Sequence, residues 1–258
     1  NDNMLYLAYN PLMLKMILSV SKQGNIPKNR GLLYQLFIKT IFQREKTKKH
    51  QIRTDTKLEV LSHIAFIMRQ NGIMKLSVTK FKNYIKNKLS EINSSVSVNT
   101  LYSELLDNLI INEIQNEEVS FFHETYQEYF CAIQLKSFFE ISDELPIPLY
   151  DKRWFEALVM CGEILKNEKS SILFFEYVFR GQKLTNGQKR LKDFSKEDFN
   201  DNINIACKMA YSLKPIRPQI YKLAEKYLSN YIVLWKFLYY EKKIEPILNP
   251  DGPSKTAT

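Results

Sequence analysis

The sequence predicts a mainly α-helical protein interrupted once by a short β-hairpin. Three observations predict it. Glycine and proline are scarce, 7 and 9 in 258 residues, too few for a β-sandwich or a disordered polymer. Apolar residues make up 45% of the chain and aromatics 13%, enough for one or two sizeable cores at this length. Their spacing is helical almost throughout and changes period once, between Leu109 and Phe122.

Taken in order, "NPLMLKMILSVSKQGNIP" offers Asn10 as an N-cap and Pro11 at the first helical position. Leu12, Met13, Met16, Ile17 and Val20 follow as a buried stripe, closed by Gly24 and Pro27. A second helix starts near Asn29, with Leu33, Leu36, Phe37, Thr40 and Ile41 on its apolar side. "TKLEVLSHIAFIMRQNG" is amphipathic and stops at Asn71-Gly72, a C-cap signal. "SVTKFKNYIKNKLS" is capped by Ser77 or Thr79, and "SVNTLYSELLDN" ends at Asp107-Asn108. In "LIINEIQNEEVSFFH" two β-rich runs flank a polar turn at Asn116-Glu117-Glu118. A final helix from His123 or Glu124 to about Phe139 carries Tyr126, Tyr129, Phe130 and Ile133 on one face.

Three helices and then a hairpin are the layout of a winged-helix module. "DELPIPLYDKRW" reads as a connector, and the remaining helices read as α-solenoid-like pairs without an exact repeat. The tail from Pro246 reads as frayed. The expected division is 1–52, a helical subdomain; 53–142, the winged helix; and 143–258, a helical repeat region.

Composition excludes several functions. No GxxxxGK[ST] and no GxGxxG occurs, so a phosphate cradle of either kind is not encoded here. His50, His63 and His123 fall in three different elements, and no Ser-His-Asp or Cys-His pair can be argued from spacing. No catalytic residue and no metal ligand set is therefore assigned, and the chain itself is read as no enzyme. Cys131, Cys161 and Cys207 form no CxxC and read as reduced core residues of a cytoplasmic protein. No apolar run reaches the ~20 residues of a membrane span. The chain does not start with Met or a signal peptide and is expected to begin inside a longer protein. The net charge of +9 suits an acidic partner, but only "QREKTKKHQIR", Gln43 to Arg53, is a basic cluster, and it reads as a solvated loop.

One stretch goes further. "FFHETYQEYFCAIQL" resembles the segment F-x-H-x-[ST]-[FY]-Q-E-[FY]-[FL]-A-A that closes the winged-helix domain of NACHT-type STAND NTPases, the group containing the NOD-like receptors. The matches are Phe121, His123, Thr125, Tyr126, Gln127, Glu128, Tyr129, Phe130 and Ala132, with Cys131 in place of the usual alanine. Upstream, "NPLMLKMIL" and "IPKNRGLLYQLFIK" are similar to the helical subdomain after the family's ATPase core. Asn10, Pro11, Leu12, Leu14, Pro27, Asn29, Arg30, Leu33 and Tyr34 match there. Downstream, "DKRWFEALVMCGEIL" resembles the first of the helical repeats that commonly follow.

The resemblance implies the C-terminal regulatory part of a signalling or defence ATPase, with the Walker motifs in a core immediately upstream. ATP or ADP, with Mg2+ through that core, is the implied cofactor, and none is expected to bind tightly to this chain alone. Pro11 would pack near the adenine. His123 would reach the β-phosphate of ADP and latch a closed state, an imidazole donor or His⁺ being suited to an anionic oxygen. An unknown activating ligand would open the molecule and drive homo-oligomerisation. Two other classes compete. A winged-helix DNA-binding regulator needs a basic recognition helix, whereas "VNTLYSELLDNLI" carries Glu104 and Asp107 and the turn is acidic. Nucleic acid is thus the disfavoured partner. A non-catalytic helical scaffold or adaptor leaves His123 unexplained.

Overall fold

The computed structural model describes residues 11–21, 24, 27–43, 52–115, 117–149, 151–180 and 196–240. It is mainly helical with one small antiparallel sheet. Asn10, His50, most of the basic cluster, Asn116 and the tail from Pro246 lie outside the described residues.

Helix α1 (Pro11–Ser21) opens on its proline and buries Met13, Met16 and Val20, with Leu12 and Ile17 partly buried beside them. Helix α2 (Arg30–Gln43) is capped by Asn29, whose Oδ1 accepts the Leu32 N–H at 2.8 Å. It buries more than the expected stripe: Tyr34, Ile38 and Phe42 are enclosed as well as Leu33 and Phe37, because α2 is packed by α1 and also by later helices.

Helix α3 (Thr54–Gln70) ends at Asn71, with Gly72 at φ 65 allowing the chain to turn away. Strand β1 (Leu76–Ser77) follows, which periodicity did not foresee, and then α4 (Val78–Glu91) and α5 (Val98–Asp107). Ser77 serves both elements, since its hydroxyl accepts the Lys80 N–H at the start of α4. The expected hairpin is strands β2 (Ile111–Ile114) and β3 (Glu118–Phe121). β3 is central in the order β1-β3-β2, with Leu76 opposite Val119 and Ile111 opposite Phe121. The alternating inward residues Leu76, Ile111, Val119 and Phe121 are buried.

Helix α6 (Glu124–Ser142) begins three residues after β3 and ends at Asp143 in the left-handed conformation, φ 56. The connector buries Leu145, Ile147 and Leu149 between exposed Pro146 and Pro148, and a 3-10 turn (Lys152–Trp154) leads into α7 (Phe155–Ile164). Every residue of α7 from Ala157 to Ile164 is buried, so it is enclosed on all sides. It is packed by α2, α6, α8 (Glu168–Arg180) and α9 (Lys196–Leu213). Helix α10 (Pro218–Tyr240) packs on α9. One buried cluster runs from Met13 to Ala224. Cys131 and Cys161 are free thiols within it, Cys207 is half-buried, and burial raises all three thiol pKa values. Among the described residues no helix is long and apolar enough to cross a membrane.

Candidate functional site

His123 is the N-cap of α6, in extended backbone (φ −141, ψ 143), and is exposed. Its Nδ1 accepts the backbone N–H of Thr125 at 3.2 Å and lies 2.8 Å from the Thr125 hydroxyl. An N-cap normally supplies a side-chain oxygen for an orphan helix N–H; here a ring nitrogen supplies it. The Thr125 hydroxyl in turn accepts from the Tyr34 hydroxyl of α2 at 2.5 Å. Tyr34 is fully buried, stacked on Tyr129 at 5.7 Å and edge-on to Tyr126 at 6.2 Å. Two of the three sequence motifs therefore touch through aromatic packing and one hydroxyl pair. Burial raises the Tyr34 pKa, keeping its hydroxyl a donor.

The third motif meets α2 one turn earlier. Arg30 pairs with Glu156 of α7, and Glu156 also pairs with Lys208 of α9. The backbone N–H of Gly31 donates to Glu163 Oε2 at 2.6 Å. Glu163 is only 2% exposed. Burial pushes its carboxyl up, and Arg30 pulls it partly back. Burial likewise opposes the charge on Arg30, but Glu163 and Glu156 outweigh it and hold the guanidinium pKa above its ordinary value. On the other flank Arg69 of α3, nearly buried, faces Glu124 and Glu128 of α6 at 3.5 Å each. Helices α2, α3, α6 and α7 thus meet over one polar and aromatic junction, with His123 at its exposed edge.

Glu128 gives this junction a pH dependence. Its carboxyl is pushed up to about 7 from 4.5, chiefly by burial; Arg69 and Arg30 oppose the shift while Glu156 and Glu124 add to it. Between those two values the folded protein holds a proton that the unfolded chain releases, so stability from this group falls as pH rises through the window. Urea unfolding from about pH 5 to about pH 8 should show this decline. Glu128→Gln should flatten that part of the profile and leave the protein relatively more stable at the alkaline end.

Pro11, the other residue singled out by the sequence, is exposed at the start of α1. Among the described residues no hydrogen bond joins it to His123; α2, which packs on both α1 and α6, is the element between them. Of the two carboxylates weighed against DNA recognition, Asp107 is exposed. Glu104 instead lies 2.7 Å from the fully buried Lys57 ammonium, which also sits 4.9 Å from the Phe42 ring centre. Glu104 therefore belongs to the interior, and half of that argument falls away. In the hairpin turn Glu117 is exposed and Glu118 faces Lys75 at 3.8 Å. His63 is half-buried on α3, and burial followed by the Lys88 charge lowers its pKa.

Arg30, Glu128, Glu156 and Glu163 were matched or passed over in the sequence without a role. One signal could have found Glu163: it is an acid in the otherwise apolar run "ALVMCGEIL", and a buried carboxylate demands a partner. Compared with known proteins, the chain matches no family model and no curated protein.

Proposed function

We propose that this chain is the regulatory, sensor-proximal part of a NACHT-type STAND NTPase, governing nucleotide-dependent opening and oligomerisation in ligand-triggered signalling or defence. The observation that carries the reading is the convergence of its three motifs. Tyr34 meets Thr125, Arg30 meets Glu156, and Gly31 meets Glu163, all from the first turn and a half of α2. Segments up to 132 positions apart are joined by the residues that carry the resemblance or stand beside them. The order helix, strand, helix, helix, strand, strand with β3 central also supports a winged helix over 53–142.

On this reading α1 and α2 belong to the helical subdomain, α3 to α6 form the winged helix, and the helices after the connector begin the sensor. An upstream core supplies the phosphate loop, binds ATP or ADP with Mg2+, and carries any hydrolysis. Pro11 lies near the adenine, and His123 offers its ring to a β-phosphate oxygen. A hydrogen bond to a charged group is worth about 1.5–3 kcal/mol. Losing it moves a two-state equilibrium roughly ten- to 150-fold toward opening. Opening then needs only a ligand that prefers the open form.

The test uses the full-length gene product, purified gently and then denatured, with the released nucleotide identified by chromatography. Stoichiometric ADP in the wild type, strongly reduced in His123→Ala, is the expected result. No nucleotide in either protein would overturn the reading in favour of a non-catalytic scaffold.

A further inference from the structure

What His123 can offer a ligand is set by the groups behind it, two hydroxyls and one backbone N–H. The Tyr34 hydroxyl donates to Thr125 Oγ1 at 2.5 Å. Thr125 has one hydroxyl hydrogen, and with its oxygen already accepting, that hydrogen can go to His123 Nδ1, 2.8 Å away. The Thr125 backbone N–H also points at Nδ1, at 3.2 Å. A backbone N–H can only donate, so it needs the Nδ1 lone pair. Nδ1 therefore carries no hydrogen, and the ring proton sits on Nε2. Tyr34 has little freedom to release Thr125, being enclosed between Tyr126 and Tyr129.

We infer that Thr125 is the positioning residue of His123 and holds its imidazole in the Nε2–H tautomer, its backbone N–H taking the Nδ1 lone pair and its hydroxyl, turned by the Tyr34 donor, adding a second hydrogen toward the same nitrogen. The ring then presents a hydrogen-bond donor to an anionic oxygen and no acceptor to a hydroxyl or an amine. Use of that donor on a phosphoryl oxygen rests on the proposed function; the tautomer does not. The same contact ties the ligand-facing ring to α2. Any movement that parts Tyr34 from Thr125 frees the threonine hydroxyl to turn, and the ring loses one of the two donors that fix its polarity.

The test is spectroscopic and needs no nucleotide. The chain is labelled with 15N-histidine, and long-range proton–nitrogen correlations are recorded in mildly alkaline buffer. His123 is assigned by its loss in His123→Gln, with His63 as an internal control of folding. The wild type should show an unprotonated Nδ1 and a protonated Nε2. Thr125→Val, which keeps the packing and the backbone N–H and removes the hydroxyl, should move both nitrogens part of the way toward a tautomer average, and Tyr34→Phe should move them in the same direction but less far. Thr125→Ser should retain the wild-type pattern. A protonated Nδ1 in the wild type would overturn the inference. So would an unchanged His123 pattern in Thr125→Val with His63 unmoved. Unaltered ADP retention in His123→Ala of the full-length protein would strike only the phosphate role, so the two failures are separable.

Discussion

Lys57→Met is expected to destabilise the protein by about 3–5 kcal/mol, because it leaves a carboxylate without its counter-charge. The Lys57 ammonium is fully buried, 2.7 Å from Glu104, whose side chain is 14% exposed. The pair joins α3 to α5, and the ammonium also lies over Phe42 of α2. A loss of about 3–5 kcal/mol is a fifth or more of the ~5–15 kcal/mol that holds a typical domain. Replacing both partners should behave differently. Lys57→Met with Glu104→Leu removes two desolvated charges together and should recover most of the loss. Chemical denaturation of the two single variants and the double variant, read as a cycle, measures this directly. A double variant no more stable than Lys57→Met would show that the pair contributes by shape rather than by charge.

Gly31→Ala should cost a comparable amount, although alanine is the better helix former by about 1 kcal/mol. A Cβ at position 31 would stand 2.8 Å from Glu163 Cβ and 3.0 Å from Ile164 Cγ2. Neither atom is the loose end of a side chain, so α2 and α7 must part. The new methyl would also stand 2.9 Å from Glu163 Oε2, the atom that now accepts the Gly31 N–H at 2.6 Å. Overpacking of this kind costs about 1–3 kcal/mol, and a buried carboxylate losing its donor adds about 1–3 kcal/mol. Less the alanine gain, the expected net loss is therefore about 1–5 kcal/mol, read from the urea midpoint. Gly162→Ala is the informative comparison. Its Cβ would crowd Met209 Sδ and stand 2.8 Å from Met209 Cγ, but an unbranched methionine side chain can change rotamer as a whole, so the smaller effect is expected there.

The elements written in local code were legible in the sequence. The α3 end at Asn71-Gly72, the start of α2 near Asn29, a cap of α4 at Ser77 rather than the alternative Thr79, and the hairpin all depend on neighbours within a few residues. Strand β1 was not legible. It is two residues long, too short for an alternation, and one of the two is spent as a helix cap. The burial around α2 was under-read for a related reason: periodicity reports one apolar face, whereas Tyr34 and Ile38 face partners supplied by later helices. His123 was placed at the start of its helix, but its partners were not, since Tyr34 stands 91 positions from Thr125. The same holds for Arg30 and Glu156, 126 positions apart. Ion pairs at such separations leave no spacing to detect. Only the cost of an unpaired charge in an apolar run, at Glu163, hints that a partner exists.

The enclosure of α7 has a kinetic meaning. A helix with a solvent face can fray or tilt a little at a time, and its amides exchange through small local openings. From Ala157 to Ile164, α7 has no such face. Its amides can meet water only when α2, α6 and α9 draw back together, an opening that approaches the cost of unfolding the whole. Motion that exposes it is then expected to be cooperative rather than piecemeal.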